Sequence, residues 1–472
     1  MVSACGGGDG ATTEATGMVV QQNAFDAKLK GTWRVLGEGR LIEVDDHDIR
    51  QFQEVKSICY LDRQVLPVAL LEGYSYRHVK GRDKVTVDLY ATAGAPSGYT
   101  LEAIPGIPEN CRKTPPSDAA TILKTMWDML DLDYGFFKER HIDWAAKYAA
   151  LQPKIMPRTT EDALQEVLVE SLHDLNDEHV SLLRFTGDEP VFQFDAANSP
   201  TLKTLRDAFA RQSAISSFAE FDAQWRQSQQ ASIAAHLIGG SEGRVLNGAM
   251  VWGKLPGNIG YIEMSRMEGF SDDANTASDL RLVRAEMDRA IAQLSDTQAL
   301  IVDVAINDGG YDVVSAEVAG RFADIRRQAF TVHQHRSQGR PSQAWFVEPK
   351  GPHQYLHPVY LLTTDLTVSA GDSLALMMRV LPHVTQIGQP TSGSISNKLV
   401  KSLPGDFMVS FSNESYVDPK GFLYEGLGVP PKVMLQVFNP LDPASLSTGH
   451  GTAIDQVTAL IDGQTTGPTQ GQ

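Results

Sequence analysis

From Gly257 to Gln389 apolar runs of strand length alternate with stretches of helical period, and few folds satisfy that order. The sequence reads GNIGYIEM, a helix over about Asp273 to Leu294, ALIVDVAI, a helix near Val313 to Ala323, VYLLTTD, an amphipathic segment starting at Ser369, and VTQIGQ. Strand and helix in turn make parallel strand pairs joined by crossover helices. From Asn397 to Val437 the pattern returns to β-type runs.

With 472 residues the chain is too long for one core. Residues 1–20 are rich in Gly, Thr and Ala without periodicity and read as a flexible tether. In 21–115, runs such as Thr32 to Leu36, Arg40 to Val44 and Lys84 to Tyr90 are separated by Gly and Asp turns, which predicts a small antiparallel β domain. Pro115-Pro116 ends it. Residues 116–250 carry helical spacing over Ala119 to Leu132, His141 to Leu151, Thr160 to Leu175 and about Ser199 to Ala235, which predicts a helical layer rather than a second sheet. The strand and helix core then spans 251–440, and 441–472 holds a C-terminal helix and a flexible tail. No internal repeat is present.

The formal charge of −17 and the absence of a basic cluster exclude nucleic acid and anionic membranes as partners. The apolar stretches are strand-sized or interrupted by charge, so none spans a bilayer. Of three cysteines, Cys59 and Cys111 share the N-terminal β segment and can pair. Met1-Val2-Ser3-Ala4-Cys5 followed by glycines resembles the end of a bacterial lipoprotein signal, without the basic and apolar regions that normally precede it. On that resemblance Cys5 is lipidated and the protein is exported to the cell envelope, periplasmic or lipid-anchored. An oxidising compartment then permits a Cys59–Cys111 disulfide. The plainer reading is a free cysteine in a glycine-rich leader.

Four segments carry chemistry. Ser369 stands where VYLLTTDLTV ends and a helix starts, beside backbone N–H groups able to hold an oxyanion; Ser369-Ala370-Gly371-Asp372 equally fits a helix-capping box. Asn307-Asp308-Gly309-Gly310 follows an apolar strand, and its glycines let the backbone approach a ligand or make a plain turn. His179, in Leu175-Asn176-Asp177-Glu178-His179, is a candidate general base or an ordinary partly exposed histidine. Glu425, in Tyr424-Glu425-Gly426-Leu427-Gly428-Val429-Pro430, is a solvated turn residue unless it works with the others. The pairs His333 and His335, and His353 and His357, lack the cysteines or carboxylates of a zinc site.

Together and in this order these segments resemble the tail-specific, or carboxy-terminal processing, serine protease family. Leu175 to His179 matches its L-x-D-x-H run, Gly257 to Ile262 its G-x-I-G-Y-I strand, and Asp303 to Gly310 its D-x-R-x-N-x-G-G run with Ala305 for the arginine. Thr367 to Asp372 matches T-x-S-A-x-E with Asp372 for the glutamate, and Glu425 to Pro431 matches E-G-x-G-V-x-P. Ser394 falls where the Ser-Lys branch of the family places its lysine, and Lys398 is four residues out of register. The resemblance is therefore closer to the tricorn-core branch.

That resemblance implies an α/β, α+β multidomain fold with a crotonase-like ββα core, a helical cap region and a small N-terminal antiparallel β domain, and no PDZ domain is recognised between about 186 and 250. It implies a serine endopeptidase acting on unfolded or extended polypeptides, with Ser369 as nucleophile, His179 as base and Glu425 orienting it. Glu178 is a possible helper, and N–H groups of Gly309 or Gly310 and of Ala370 form the oxyanion hole. No metal or organic cofactor is implied, the membrane is met only through Cys5, and a homo-oligomer is left open. The alternatives are a non-catalytic module of the same fold carrying a hydrophobic ligand or peptide, and an acyl-CoA enzyme of the wider crotonase fold.

Overall fold

The computed structural model describes residues 16–465 except 57, 80–81, 83, 93–94, 97, 198, 240–242, 273–274 and 336–339. Cys5 lies outside the described residues.

The N-terminal region is an antiparallel sheet of eight strands. It begins at Thr16–Met18, inside the stretch expected to be tether, and runs in the order Thr16–Met18, Ser75–Val79, Thr86–Tyr90, Tyr99–Ala103, Gly31–Val35, Arg40–Val44, Asp48–Glu54, Cys59–Pro67. The alternation of strand side chains puts Trp33, Val35, Ile42, Val44 and Leu101 into one core, while Leu41, Phe52 and Ile107 pack on the other side with Cys59 and Cys111. Those two cysteines form a disulfide across 52 residues of sequence. Closing a loop of that length stabilises the fold by about 4 kcal/mol on chain-entropy grounds. Such a bond persists in an oxidising compartment, so the chain belongs outside the reducing cytosol.

Three helices follow, α1 (Ala119–Asp133), α2 (Trp144–Leu151) and α3 (Glu161–Leu172). Asp118, Asp143 and Thr160 cap them through their side chains, as their residue types favour. The helical layer expected over 116–250 is then interrupted. Ser181–Thr186 and Glu189–Asp195 form a hairpin, and its first strand pairs antiparallel with Phe407–Ser412, making a four-stranded sheet with Lys398–Ser402. The partners of this hairpin lie more than 200 residues away, and local periodicity does not register such pairing. Helices α4 (Pro200–Ala210) and α5 (Phe218–His236) occupy the remainder.

The core is a six-stranded sheet ordered Met250–Leu255, Ile259–Met264, Ala299–Asp303, Val359–Thr363, Val384–Gly388, Val433–Met434. Its first pair is antiparallel and the others parallel. The central strands Ala299–Asp303 and Val359–Thr363 are buried at every position, which is why they read as unbroken apolar runs. Helices α6 (Thr276–Leu294), α7 (Asp312–Ala319) and α8 (Ala370–Arg379) contribute to one hydrophobic core with this sheet, and α9 (Ser445–Thr465) packs with α5 in another. One further pairing positions the site. Ile306–Asn307 runs parallel to Leu366–Thr367, so the chain leaving each central strand travels beside the other.

Candidate active site

Val359–Thr363 delivers the chain through a short turn to Ser369, the residue before α8. Ser369 has φ 58° and ψ −115°, a conformation that residues with a side chain rarely adopt. Such strain costs of order 1–3 kcal/mol and persists only where the surroundings impose it. They do so here. Thr367 Oγ1 donates to the Val304 carbonyl at 2.6 Å, Val368 N to Asn307 O at 2.9 Å, and Ser369 N to Ser394 O at 3.2 Å. The Ser369 hydroxyl makes no capping hydrogen bond to α8. The capping-box reading of this segment therefore does not describe it, and Asp372 accepts from Gly393 N at 2.9 Å instead.

Gly309 lies beneath the serine. A Cβ there would stand 2.5 Å from Ser369 Cβ, and its φ of 82° also disfavours a side chain. Asn307 fixes the loop, donating from Nδ2 to Met264 O at 2.8 Å and accepting the Gly309 N–H at 3.0 Å. The Gly309 N–H is thus engaged. Those of Gly310 and Ala370 have no acceptor among the described residues, and they come from two separate segments beside Ser369.

His179 follows the left-handed turn at Asn176 that ends the α3 segment. It is 5% exposed. Its Nδ1 lies 3.2 Å from Ser412 Oγ, which donates to Asp177 Oδ1 at 3.2 Å, and the same Asp177 oxygen accepts the His179 backbone N–H at 2.9 Å. Burial lowers the His179 pKa to about 4 against the opposing pull of Asp177, so the ring is neutral at pH 7.

Glu425 does not touch His179 among the described contacts. One carboxylate oxygen accepts from the Ile395 and Ser396 N–H groups at 3.0 and 3.1 Å. The other meets Arg140, whose guanidinium also lies 3.5 Å from Asp177. Burial, then the charge of Asp177, raise the Glu425 pKa well above the usual range, while Arg140 opposes them. A chain of contacts therefore runs from Glu425 through Arg140, Asp177 and Ser412 to His179. Tyr134 donates to it at Asp177 Oδ2, 3.1 Å away.

No hydrogen bond joins Ser369 Oγ to His179 among the described residues. The two segments meet through Ser394, whose carbonyl accepts from Ser369 N and whose hydroxyl accepts from Glu178 N at 3.0 Å. The Glu178 carboxyl has its pKa raised to about 7, by burial first and by Asp177 next. It opens on a pocket of about 280 Å3 with Arg140, Thr391 and Leu427. Lys398 is exposed, and its charge reaches both His179 and Glu268. A second pocket, of about 230 Å3, holds Ser369 and Gly310 at its wall. A larger cavity between α1 and α3 contains none of these residues. No cluster of three His, Cys, Asp or Glu able to hold a metal occurs among the described residues.

Sequence reasoning missed Ser412 and Arg140 as parts of the site, and it quoted Asn307 and Ser394 without their roles in holding the Ser369 backbone. Asp177 stood inside a quoted motif, but Arg140 and Ser412 arrive from a loop after α1 and from a distant strand, and neither carries a local signal.

Residues 258–435 match the model of peptidase family S41. Among solved structures, a candidate peptidase from Parabacteroides merdae shares 19% identity at a TM-score of 0.55, covering 73% of this chain and 97% of that one. Mature CPAF shares 14% at 0.51, covering 74% and 98%. Its complex with lactacystin shares 13% at 0.50, covering 73% and 98%. These structures share the fold. The family match covers the strands and turns that carry Ser369, Gly310 and Glu425, and it makes the core of the chain a serine peptidase domain, a hydrolase.

Proposed function

We propose that the chain is an exported serine peptidase that hydrolyses unfolded or extended polypeptides through an acyl-enzyme on Ser369. The observation carrying this reading is a strained serine whose hydroxyl makes no cap to α8 and which stands beside two N–H groups without an acceptor among the described residues. A merely structural serine needs neither feature. The strand–strand–helix order of the core supports a crotonase-like fold, and the disulfide supports export.

His179 is the base. Ser412 donates its own proton to Asp177, so its oxygen is left to accept from Nδ1–H, and that tautomer leaves Nε2 with a free lone pair. As Ser369 Oγ attacks the peptide carbonyl carbon, its proton passes to Nε2 and the carbonyl oxygen becomes an oxyanion held by the Gly310 and Ala370 N–H groups. The C–N bond then breaks, and His179 returns the proton to the leaving amine. Water attacks the resulting ester, giving its proton to His179, and Ser369 Oγ recovers it as the acid departs. Catalytic hydrogen bonds tighten on substrate binding, and the Ser369–His179 bond is made in the substrate complex. Asp177, acting through Ser412, orients the imidazole, and Glu425 acts on it at one remove through Arg140. This reading favours a Ser-His-acid design over a Ser-Lys one, and Ser394 at the position of the lysine supports it.

The test is digestion of an unfolded protein by wild type, Ser369→Ala and His179→Ala, with cut sites read by mass spectrometry. Cutting by the wild type alone is expected. Turnover retained in either variant removes the assignment, and no turnover by a folded wild type favours the non-catalytic module.

A further inference from the structure

The pocket beside Ser369 is built by two domains. Its wall on one side comes from the core, including Val332 and Trp345, and on the other from Tyr74, Pro96 and Tyr99 of the N-terminal β domain. The docking between them is close. Gly73 approaches the start of α6 so tightly that a Cβ there would lie 2.5 Å from Ala277 Cβ. Tyr74, from the β domain, and Tyr311, next to Gly310, both lie close to the Thr276 side chain. Arg340 donates to Gly98 O at 2.9 Å and pairs with Glu414 at 2.8 Å. A domain that only spaced the core from a surface would not need to line its reactive serine.

Resting on the Ser369 reading, we propose that Tyr74, Pro96 and Tyr99 are specificity-determining residues that close the pocket for the P1 side chain, and that this pocket takes a large uncharged residue. The residue whose carbonyl is attacked carries its side chain one bond away from the carbonyl carbon. A pocket bounded by both the nucleophile and the Gly310 oxyanion donor is where that side chain goes. About 230 Å3 accommodates an aromatic or long aliphatic group. Its buried charges are already matched: Arg340 pairs with Glu414, and Asp312 accepts from Ser373 at 2.5 Å and Tyr416 at 2.8 Å. A charged P1 side chain would therefore lose hydration without finding a partner.

The experiment compares wild type, Tyr74→Ala, Tyr99→Ala and Pro96→Phe by the cut-site profile on an unfolded protein and by labelling with a small fluorophosphonate. Pro96 lies on a loop outside the β-domain core, so its replacement keeps the test open if a tyrosine variant does not fold. The wild type is expected to cut after Phe, Tyr, Leu and Met. Both alanine variants should cut there about 10- to 100-fold more slowly, the range that follows from burying one such side chain, with labelling of Ser369 unchanged. Pro96→Phe should shift cutting towards smaller P1 residues. A folded set of variants that labels and cuts with the wild-type profile overturns the pocket assignment alone, as does a wild type that prefers charged P1 residues. A folded wild type that neither labels nor cuts overturns the Ser369 reading and the pocket with it.

Discussion

Ser412 Oγ stands 3.2 Å from His179 Nδ1, so a serine from a distant strand meets the ring of the proposed base. Because Ser412 also donates to Asp177, the imidazole is oriented by a carboxylate it does not touch. Ser412→Ala removes that link and leaves the Ser369 pocket intact. Expected is a fall in kcat of about 10- to 100-fold, below the roughly 100- to 10,000-fold of positioned proton transfer because the proposed base itself remains, with KM unchanged. Ser412→Thr, which keeps the hydroxyl, should recover most of the rate. Steady-state kinetics on a peptide substrate decide it, and a loss confined to KM would place Ser412 in substrate binding instead.

With His179 as the proposed base, its low pKa sets the expected acid side of the rate profile. Burial puts it at about 4, well below an ordinary histidine, so the ring stays neutral and able to accept a proton down to that pH. kcat/KM is expected to be flat through His179 titration from about pH 5 to 7 and to fall near pH 4, a region read with a pH-rate profile over folded enzyme. An acid limb near 6.5 would show that the histidine is solvated in the working state. A limb near 9 or above that vanished in Lys398→Met would replace His179 by the lysine.

Arg140 lies against two buried carboxylates and offsets the effect of one charge on the other. It is close to Asp177 and Glu425 at 3.5 and 3.3 Å, and burial of all three is nearly complete. Removing one partner of a buried ionic group leaves the others uncompensated, at a cost of about 3–5 kcal/mol. Arg140→Leu should be destabilised by that amount in denaturant unfolding at pH 7, and less at pH 5, where Glu425 takes up a proton more readily. Equal destabilisation at both would mean that Glu425 is already protonated at pH 7.

What the sequence disclosed followed from how local each signal was. Val359 to Leu362 and Ala299 to Val302 announce themselves because strands buried on both faces read as apolar runs, and Asp118, Asp143 and Thr160 are caps by residue type. Ser369 was legible from the strand–turn–helix junction, but its strained φ was not, since it is imposed by Asn307 and Ser394 from other chain segments. The hairpin at Ser181 was hidden for the same reason, its ladder partner being the strand Phe407–Ser412. Arg140 looks like any loop arginine until the fold brings Asp177 and Glu425 to it. Tertiary contact created these features, and no window of neighbouring residues contains them.

Gly309 tests the close approach of the two loops. Its substitution by alanine adds a Cβ 2.5 Å from Ser369 Cβ and 2.9 Å from Val368 O, at a backbone φ of 82°. Backbone cannot move away as a flexible side chain would. Gly309→Ala should lose at least about 100-fold in kcat/KM and about 1–3 kcal/mol of stability, the first because Ser369 and the Gly310 N–H shift relative to one another and the second from backbone strain. Activity within a few-fold of wild type would show that the serine does not need this register.

Asp372 gives a stability signature whose sign can be worked out. It is fully buried, one oxygen accepts from Gly393 N, and the other has no partner among the described residues. Burial raises its pKa from 3.8 to about 7. Between those values the folded state keeps a proton that the unfolded chain releases, so this group's contribution is fully present below pH 3.8 and is lost as pH rises through 7. The loss runs at up to about 1.4 kcal/mol per pH unit and then levels off. Asp372→Asn carries no such proton, so the stability of wild type relative to the variant should decline from pH 4 to 7 and stay constant above it. Denaturant unfolding of both proteins at several pH values measures the difference, and cancels the titrations they share. A gap that widened in favour of wild type with rising pH would mean that Asp372 is held ionised in the folded state, its charge stabilised by the Gly393 N–H.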